Sequence, residues 1–279
     1  MKKSIVFTIF ILRNTLKFMS LFSAKWCASY AFKIFTTPFR KGSSYKPPIF
    51  EKAEELTINV NGLNICGYRW NTYADKKILI AHGFESRSFN FYRYVEALVD
   101  KGYAVYAMDA KAHGNSEGST VIIPEYISMF RELEKNYGPF DGYICHSFGG
   151  IAVCLYEEEN NHPNSKLVLI APATETKSAI KLFCSFFRLS EKVRFAMHDY
   201  IEMKSGKKID HFSIKRVVRK INNPILWIHD HDDDITPLKD VEELFVEKPQ
   251  NIRFFLTNGL GHRKIYKDPK IIELAVDFI

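Results

Sequence analysis

The stretch Cys145-His146-Ser147-Phe148-Gly149-Gly150 constrains this chain more than any other. It follows a short apolar run, Gly142 to Cys145, that reads as a strand, and it precedes Ile151 to Tyr156, which reads as a helix. A serine between small residues at a strand-to-helix turn is the geometry of a nucleophile elbow. So tight a turn requires small residues two before and two after the serine. Gly149 meets that need, with Gly150 beside it, and Cys145 is larger than the usual glycine but still small. Such a turn lifts the hydroxyl clear of the sheet. It also sets the next backbone N–H at a helix N-terminus, where it can meet an oxyanion.

A serine hydroxyl needs a base, and the base needs an orienting acid. Candidates for both lie downstream. The buried-strand pattern Ile225-Leu226-Trp227-Ile228-His229 runs into Asp230-His231-Asp232-Asp233-Asp234-Ile235-Thr236-Pro237. A further strand pattern, Arg253 to Leu256, is followed by Thr257-Asn258-Gly259-Leu260-Gly261-His262. Serine, acid and histidine in that order, the last two each just past a strand, is the order of an α/β-hydrolase. The acid remains open at this point, because four aspartates crowd one turn.

From Leu56 to Ile279 the chain resembles the α/β-hydrolase superfamily, and within it the serine aminopeptidase and monoacylglycerol lipase-like branch. Ile78-Leu79-Ile80-Ala81-His82-Gly83-Phe84 resembles the strand and His-Gly turn that supplies one oxyanion donor. Met108 to Gly118 resembles the Asp-x-Arg-Gly-His-Gly-x-Ser-x-Gly loop of that branch and departs from it at Lys111 and Ala112. Gly259 to Ile265 resembles the Gly-His segment that carries the base. The resemblance implies a serine hydrolase with Ser147 as nucleophile, His262 as base and backbone N–H groups of Phe84 and Phe148 as the oxyanion hole. Related sequences commonly read His-Gly-x-x-Asp-x-x-x-Pro around the acid. Anchoring on His229 and Pro237 points to Asp233, with Asp232 next. The implied reaction needs no metal and no organic cofactor. Its partner is a small-molecule acyl substrate. Relatives that act on alkyl halides or epoxides carry aspartate at the elbow, where this chain has Ser147.

The expected fold is a mostly parallel sheet with helices on both faces, opened by a hairpin at Asn61-Gly62. Strands are expected at Leu56–Val60, Leu63–Tyr68, Lys77–Ala81, Tyr103–Met108, Gly142–Cys145, Lys166–Ile170, Pro224–His229 and Ile252–Leu256. Helices are expected at Phe89–Asp100, Pro124–Tyr137, Phe148–Glu159 and Asp268–Ile279. The span 174–221 interrupts the alternation with helical patterns and the aromatics Phe183, Phe186, Phe187, Phe195 and Tyr200. It reads as a helical lid insertion within a hydrolase domain of residues 49–279.

Charge is unevenly placed. The first fifty residues hold nine Lys/Arg and no acid, and the remainder holds 30 basic against 32 acidic residues. The body is therefore no nucleic-acid binder despite the net charge of +7. Residues 1–48 read as a basic amphipathic segment ending in a linker at Lys41–Pro48. The preferred expectation is peripheral contact of residues 1–41 with an anionic membrane surface. The alternatives are a helix packed on the domain and a cleaved export signal with Lys2 and Lys3 as its basic start. The five cysteines are odd in number and lack C-x-x-C spacing, so reduced thiols and a cytoplasmic location, peripheral on the inner face of the membrane, are expected. Within hydrolases the expectation is a carboxylic ester with an apolar acyl chain, ester or thioester. The rivals are an aminopeptidase or amidase of the same fold and an inactive hydrolase-fold binding protein.

Overall fold

The computed structural model describes residues 3–40 and 45–279. Met1, Lys2 and residues 41–44, on which part of the expected export signal and linker falls, lie outside the described residues. Two compact units are formed: Met1–Thr37 with Glu175–Ser213, and Pro38–Thr174 with Ile214–Ile279.

The chain begins with helices α1 (Lys3–Phe22) and α2 (Ala24–Phe35), both in the first unit. Ser23 stands between them in extended conformation, and its hydroxyl accepts the Trp26 N–H at 3.2 Å, an N-cap that starts α2 as a separate helix. The second unit then runs β1 (Glu54–Val60), β2 (Leu63–Trp70), β3 (Lys77–Ala81), α3 (Tyr92–Asp100), β4 (Ala104–Met108), α4 (Ile123–Tyr137), β5 (Gly142–His146), α5 (Phe148–Asn160) and β6 (Lys166–Ile170). The insertion supplies α6 (Thr176–Phe187) and α7 (Glu191–Ser205) to the first unit. The second unit resumes with α8 (Ile214–Val218), β7 (Ile225–Asp230), α9 (Glu242–Glu247), β8 (Ile252–Thr257), α10 (Gly261–Lys264) and α11 (Pro269–Phe278).

The eight strands form one sheet in the order β1-β2-β4-β3-β5-β6-β7-β8. β2 pairs antiparallel with β1 and β4, and every other pairing is parallel. The β1–β2 turn places Asn61 and Gly62 at positive φ, +52° and +83°, as a two-residue hairpin turn requires. Alternate strand residues Ile78, Ile80, Ile144, Val168, Ile170 and Leu226 face one side and are fully buried against apolar residues of α3 and α11. Helices α4, α5 and α8 pack together, and helices cover both faces. At the last helix Asp268 accepts the N–H groups of Lys270 and Ile271, so α11 starts after it. The helix expected from Phe89 is broken: a 3-10 turn, Ser88–Phe91, precedes α3. The Ser88 N–H is drawn to the Asp109 carboxylate at 2.8 Å, which holds this turn out of helical register.

The first unit is helical throughout. α2 buries the small residues Cys27, Ala28 and Ala31, which lets helices approach closely. Leu16 and Met19 of α1 are buried, and the Cys27 thiol donates to the Leu16 carbonyl. Phe32 meets Tyr200 edge-on at 5.3 Å, and Phe35 meets Phe183 at 5.4 Å. Phe183 and Tyr200 of the insertion thus pack on α2. Among the described residues no helix is long and apolar enough to cross a membrane.

Candidate active site

Ser147 sits between β5 and α5 at φ 50° and ψ −117°. A non-glycine residue there costs on the order of 1–3 kcal/mol, so the surroundings must hold it. They do so by backbone bonds. The Ser147 N–H donates to the Ile170 carbonyl at 3.1 Å, and its carbonyl accepts from Gly150 and Ala173, each at 2.9 Å. The neighbouring glycines leave no room for a side chain. A Cβ on Gly149 would stand 2.4 Å from the Ala81 carbonyl oxygen, and one on Gly150 would stand 2.8 Å from the Pro172 Cβ. Cys145 is fully buried, and burial pushes its thiol well above the usual range, so it stays protonated.

Gly149→Ala is accordingly expected to destabilise the fold by about 3 kcal/mol or more, because the clash is with backbone that cannot turn aside. Thermal melts of the variant beside the parent check this. A loss below about 1 kcal/mol would mean that α5 can shift off β3.

The Ser147 hydroxyl donates to His262 Nε2 across 3.0 Å, and His262 Nδ1–H donates to Asp233 Oδ2 at 2.8 Å. β7 carries Asp233 past its C-terminal end and β8 carries His262 past its own, so all three side chains gather at the same end of the parallel strands. All three are buried. Asp233 Oδ1 accepts the N–H groups of Ile235 and Thr236 at 2.9 and 2.8 Å. Burial alone would raise its pKa, but hydrogen bonds from His229 and His262 outweigh burial and hold the carboxyl well below the usual range.

The other aspartates of this turn go elsewhere. Asp230 accepts from the Thr257 hydroxyl at 2.6 Å and from the Leu260 N–H at 3.1 Å, tying β7 to the loop that carries His262. Asp232 accepts the Gly259 N–H at 2.8 Å on that same loop. Asp234 is exposed. Two further residues meet the Asp233 carboxylate: Thr236, which the sequence did not single out, and His229, which served there only as an anchor. The Thr236 hydroxyl lies 2.9 Å from Asp233 Oδ2 and 3.1 Å from His262 Nδ1. His229 Nε2 lies 3.5 Å from the same carboxylate oxygen and donates to the Thr236 carbonyl at 2.8 Å. His146 also acts across the site: its Nε2–H donates to the His262 carbonyl at 3.0 Å.

The loop after β3 reaches the serine because Gly83 has no side chain. A Cβ there would lie 2.9 Å from the Ser147 Cβ. The next residue, Phe84, stands edge-on to Phe148 with ring centroids 6.2 Å apart. Phe148 is the first residue of α5, where N–H groups have no partner within the helix. Two neutral histidines fix this loop. His82 donates Nδ1–H to the Gly83 carbonyl and accepts the Ala110 N–H at Nε2. His113 donates Nδ1–H to the Lys111 carbonyl and accepts the Glu85 N–H at Nε2. Asp109 anchors the opposite loop, accepting from Ser88 and Asn115 and facing Arg87 at 3.5 Å. Where this loop departs from the resembled pattern, Lys111 pairs with Glu125 and Ala112 stands at φ 65°, a conformation that glycine adopts more readily. Among the described residues no group of three or more His, Cys, Asp or Glu could hold a metal ion.

Comparison with known proteins agrees with this architecture. The family model described as serine aminopeptidase, S33, matches residues 72–220. The chain is 24% identical over 229 residues to YqkD, an uncharacterized protein of Bacillus subtilis strain 168, covering 77% of this chain and 74% of that one. It is 26% identical over 203 residues to a Danio rerio protein named lysophosphatidylserine lipase ABHD12, covering 66% of this chain and 52% of that protein, so it spans about half that relative's length. The Pyrococcus furiosus esterase Pf2001 superposes with a TM-score of 0.65 over 87% of this chain and 96% of that one, at 19% identity, a likeness of fold.

Proposed function

From a chain that belongs to the serine aminopeptidase S33 family, and so to the serine hydrolases of the α/β-hydrolase fold, we infer a carboxylic ester hydrolase working through Ser147, His262 and Asp233. The observation that carries this reading is the unbroken relay of 3.0 Å from Ser147 Oγ to His262 Nε2 and 2.8 Å from His262 Nδ1 to Asp233. Ser147 Oγ attacks the ester carbonyl carbon while its proton passes to His262 Nε2. The oxygen that gains the electron pair is received by the N–H groups of Phe84 and Phe148, the second at the positive end of α5. The carbonyl re-forms, the C–O bond to the alcohol breaks, and His262 returns the proton to the departing oxygen. Water then cleaves the acyl-enzyme by the same path. Asp233, held ionised, accepts Nδ1–H, fixes the tautomer and offsets the charge of the imidazolium.

An ester with an apolar acyl chain is the reading we favour; Phe84 and Phe148, the residues proposed to supply the oxyanion donors, carry apolar rings that stand edge-on to each other at 6.2 Å. An aminopeptidase needs a free carboxylate for the substrate amine. Of the insertion's candidates Glu175, Glu191 and Glu202, Glu175 accepts the Ser213 hydroxyl, Glu191 pairs with Arg194 and Glu202 is exposed on α7. The names of two of the similar proteins, a lipase and an esterase, point the same way.

The test compares 4-nitrophenyl esters of increasing acyl length with aminoacyl 4-nitroanilides. The expected kcat/KM favours esters by at least about a hundredfold and butyrate or longer chains over acetate, each added methylene being worth up to about 0.8 kcal/mol. Faster turnover of the amides would establish the aminopeptidase instead. Folded protein inert to esters and to a fluorophosphonate would leave a binding protein on this fold.

A further inference from the structure

The helical unit carries a surface that the catalytic reading does not use. α1 is apolar nearly all round, a pattern that demands cover on more than one side. One stripe, with Leu16 and Met19, is buried inside the unit. The opposite stripe, at helical spacing, is Phe7, Phe10, Ile11, Phe18, Leu21 and Phe22, all exposed, with Leu21 at 75% and Phe22 at 70%. Single exposed apolar residues are ordinary, but a row of six on one helix is not. The row does not stop at α1. Arg13 donates to the Phe186 carbonyl from Nε at 3.0 Å, and its guanidinium lies 5.1 Å from the Phe186 ring. Phe186 and, one turn back on α6, Leu182 are both about half exposed. Where α1 gives way to α2, Trp26 is 54% exposed between Lys25 and the end of the stripe.

Charge decides what covers such a surface. Residues 1–37 and 175–213 hold fourteen Lys/Arg and five Asp/Glu, a net of +9, whereas the rest of the chain holds 25 and 27, a net of −2. A second copy of the same face would bring two +9 bodies together. An anionic bilayer offers both complements: headgroups for Lys17, Lys25 and Lys33, whose side chains are exposed, and acyl chains for the rings. α1 is not of a kind to cross the bilayer, so it would lie along it.

We propose that α1, the start of α2 and α6 form one docking surface for an anionic lipid bilayer, the N-terminal helices and the insertion binding as a single body. The surface is independent of the ester reading. It places Phe186 and Leu182, far along the chain, in the same membrane contact as Phe10 and Phe18.

Co-sedimentation of the full chain with vesicles tests this, using phosphatidylcholine alone and phosphatidylcholine with phosphatidylglycerol, at low salt and at ~0.5 M NaCl, where charge attraction is screened within a few ångströms. Binding is expected to the anionic vesicles and to weaken at high salt. Trp26 supplies an intrinsic signal, because Trp70 and Trp227 are buried: emission should shift to the blue on binding, and Trp26→Phe should remove the shift. Phe10→Ser, Phe18→Ser and Phe22→Ser together should lower partitioning by about tenfold or more, and Leu182→Ser with Phe186→Ser by about threefold or more. All five positions are exposed, and unchanged melting of each variant confirms the fold. No binding to either vesicle, or equal binding to both, overturns the anionic surface. Loss with the α1 variant but none with the α6 variant overturns the shared body. A lipid-free dimer abolished by the triple variant assigns the face to a second copy and overturns the proposal.

Discussion

Ser147→Ala is expected to lower kcat/KM for an activated ester by roughly ten-thousandfold to a millionfold while leaving the fold in place. The size follows from what is removed. The hydroxyl 3.0 Å from His262 Nε2 is the atom proposed to form the acyl bond. The buried Cys145 thiol is two residues away on the strand and is held protonated. Residual turnover should come from the backbone donors of Phe84 and Phe148 alone. The substitution deletes one oxygen and leaves Cβ, so neither a cavity of consequence nor a new clash arises. Thermal melting within a few degrees of the parent, with activity lost, is the expected pair of results. Fluorophosphonate labelling should vanish in Ser147→Ala and in His262→Ala. Activity reduced by less than about tenfold would remove Ser147 from the reaction.

The same assay separates the aspartates. Asp233→Asn should cost about a thousandfold to ten-thousandfold, because an amide cannot hold the His262 tautomer as a carboxylate does. Asp232→Asn and Asp234→Asn should cost only a few fold. Asp230→Asn should act on melting temperature rather than on chemistry, since its bonds join Thr257 and Leu260 and not His262.

Acid is expected to begin destabilising this protein above the pH range in which its carboxylates are protonated. His82, His113 and His146 are buried, and burial pushes all three pKa values down: His113 to about 3, His82 lower than usual and His146 well below the usual range. Their bonding gives the reason in atoms. His82 and His113 each accept a backbone N–H at Nε2, so a proton there would face another proton. A histidine whose folded pKa lies below its unfolded value favours the fold above the unfolded value, near pH 6.5. That contribution is lost as pH falls toward the folded value, because the unfolded chain binds the proton first. For His113 alone the full loss, reached only near pH 3, is on the order of 5 kcal/mol, at about 1.4 kcal/mol per pH unit. Asp233 and Asp230, whose pKa values are also lowered, add their own loss only below about pH 4. Total stabilities of about 5–15 kcal/mol leave little after such a loss. Melting temperature is expected to fall steadily from about pH 6.5 to pH 4. His113→Gln, which can still accept from Glu85, should flatten that slope even if it lowers the melt at neutral pH. A melt flat between about pH 7 and pH 5 would show that these rings take up protons without penalty.

Much of the architecture was legible because it rests on local chemistry. Asn61-Gly62 can turn only one way at low cost, and the runs around it alternate or stay apolar as strands do. The small residues around Ser147 have no ordinary use except a turn that brings a helix against a neighbouring strand. Gly149 against the Ala81 carbonyl is that contact. Less was legible where partners are distant in sequence. Four aspartates share one turn with similar local surroundings. Which of them meets His262 depends on the β7–β8 pairing and on Asp230 and Asp232 being taken up by the β8 loop. Thr236 was invisible for the same reason, since a threonine before a proline signals nothing until His262 lies 3.1 Å from it.

The N-terminal segment shows the division most clearly. Its composition alone determined a basic segment, nine Lys/Arg and no acid in the first fifty residues. Only the tertiary structure decided that its helices share a body with the insertion. The small face of α2 finds partners both in α1, where Cys27 donates to the Leu16 carbonyl, and in α7, more than a hundred residues onward. Sequence periodicity tells which face of a helix wants cover. It carries no record of what provides it, because packing energy is earned between side chains that the chain brings together only on folding.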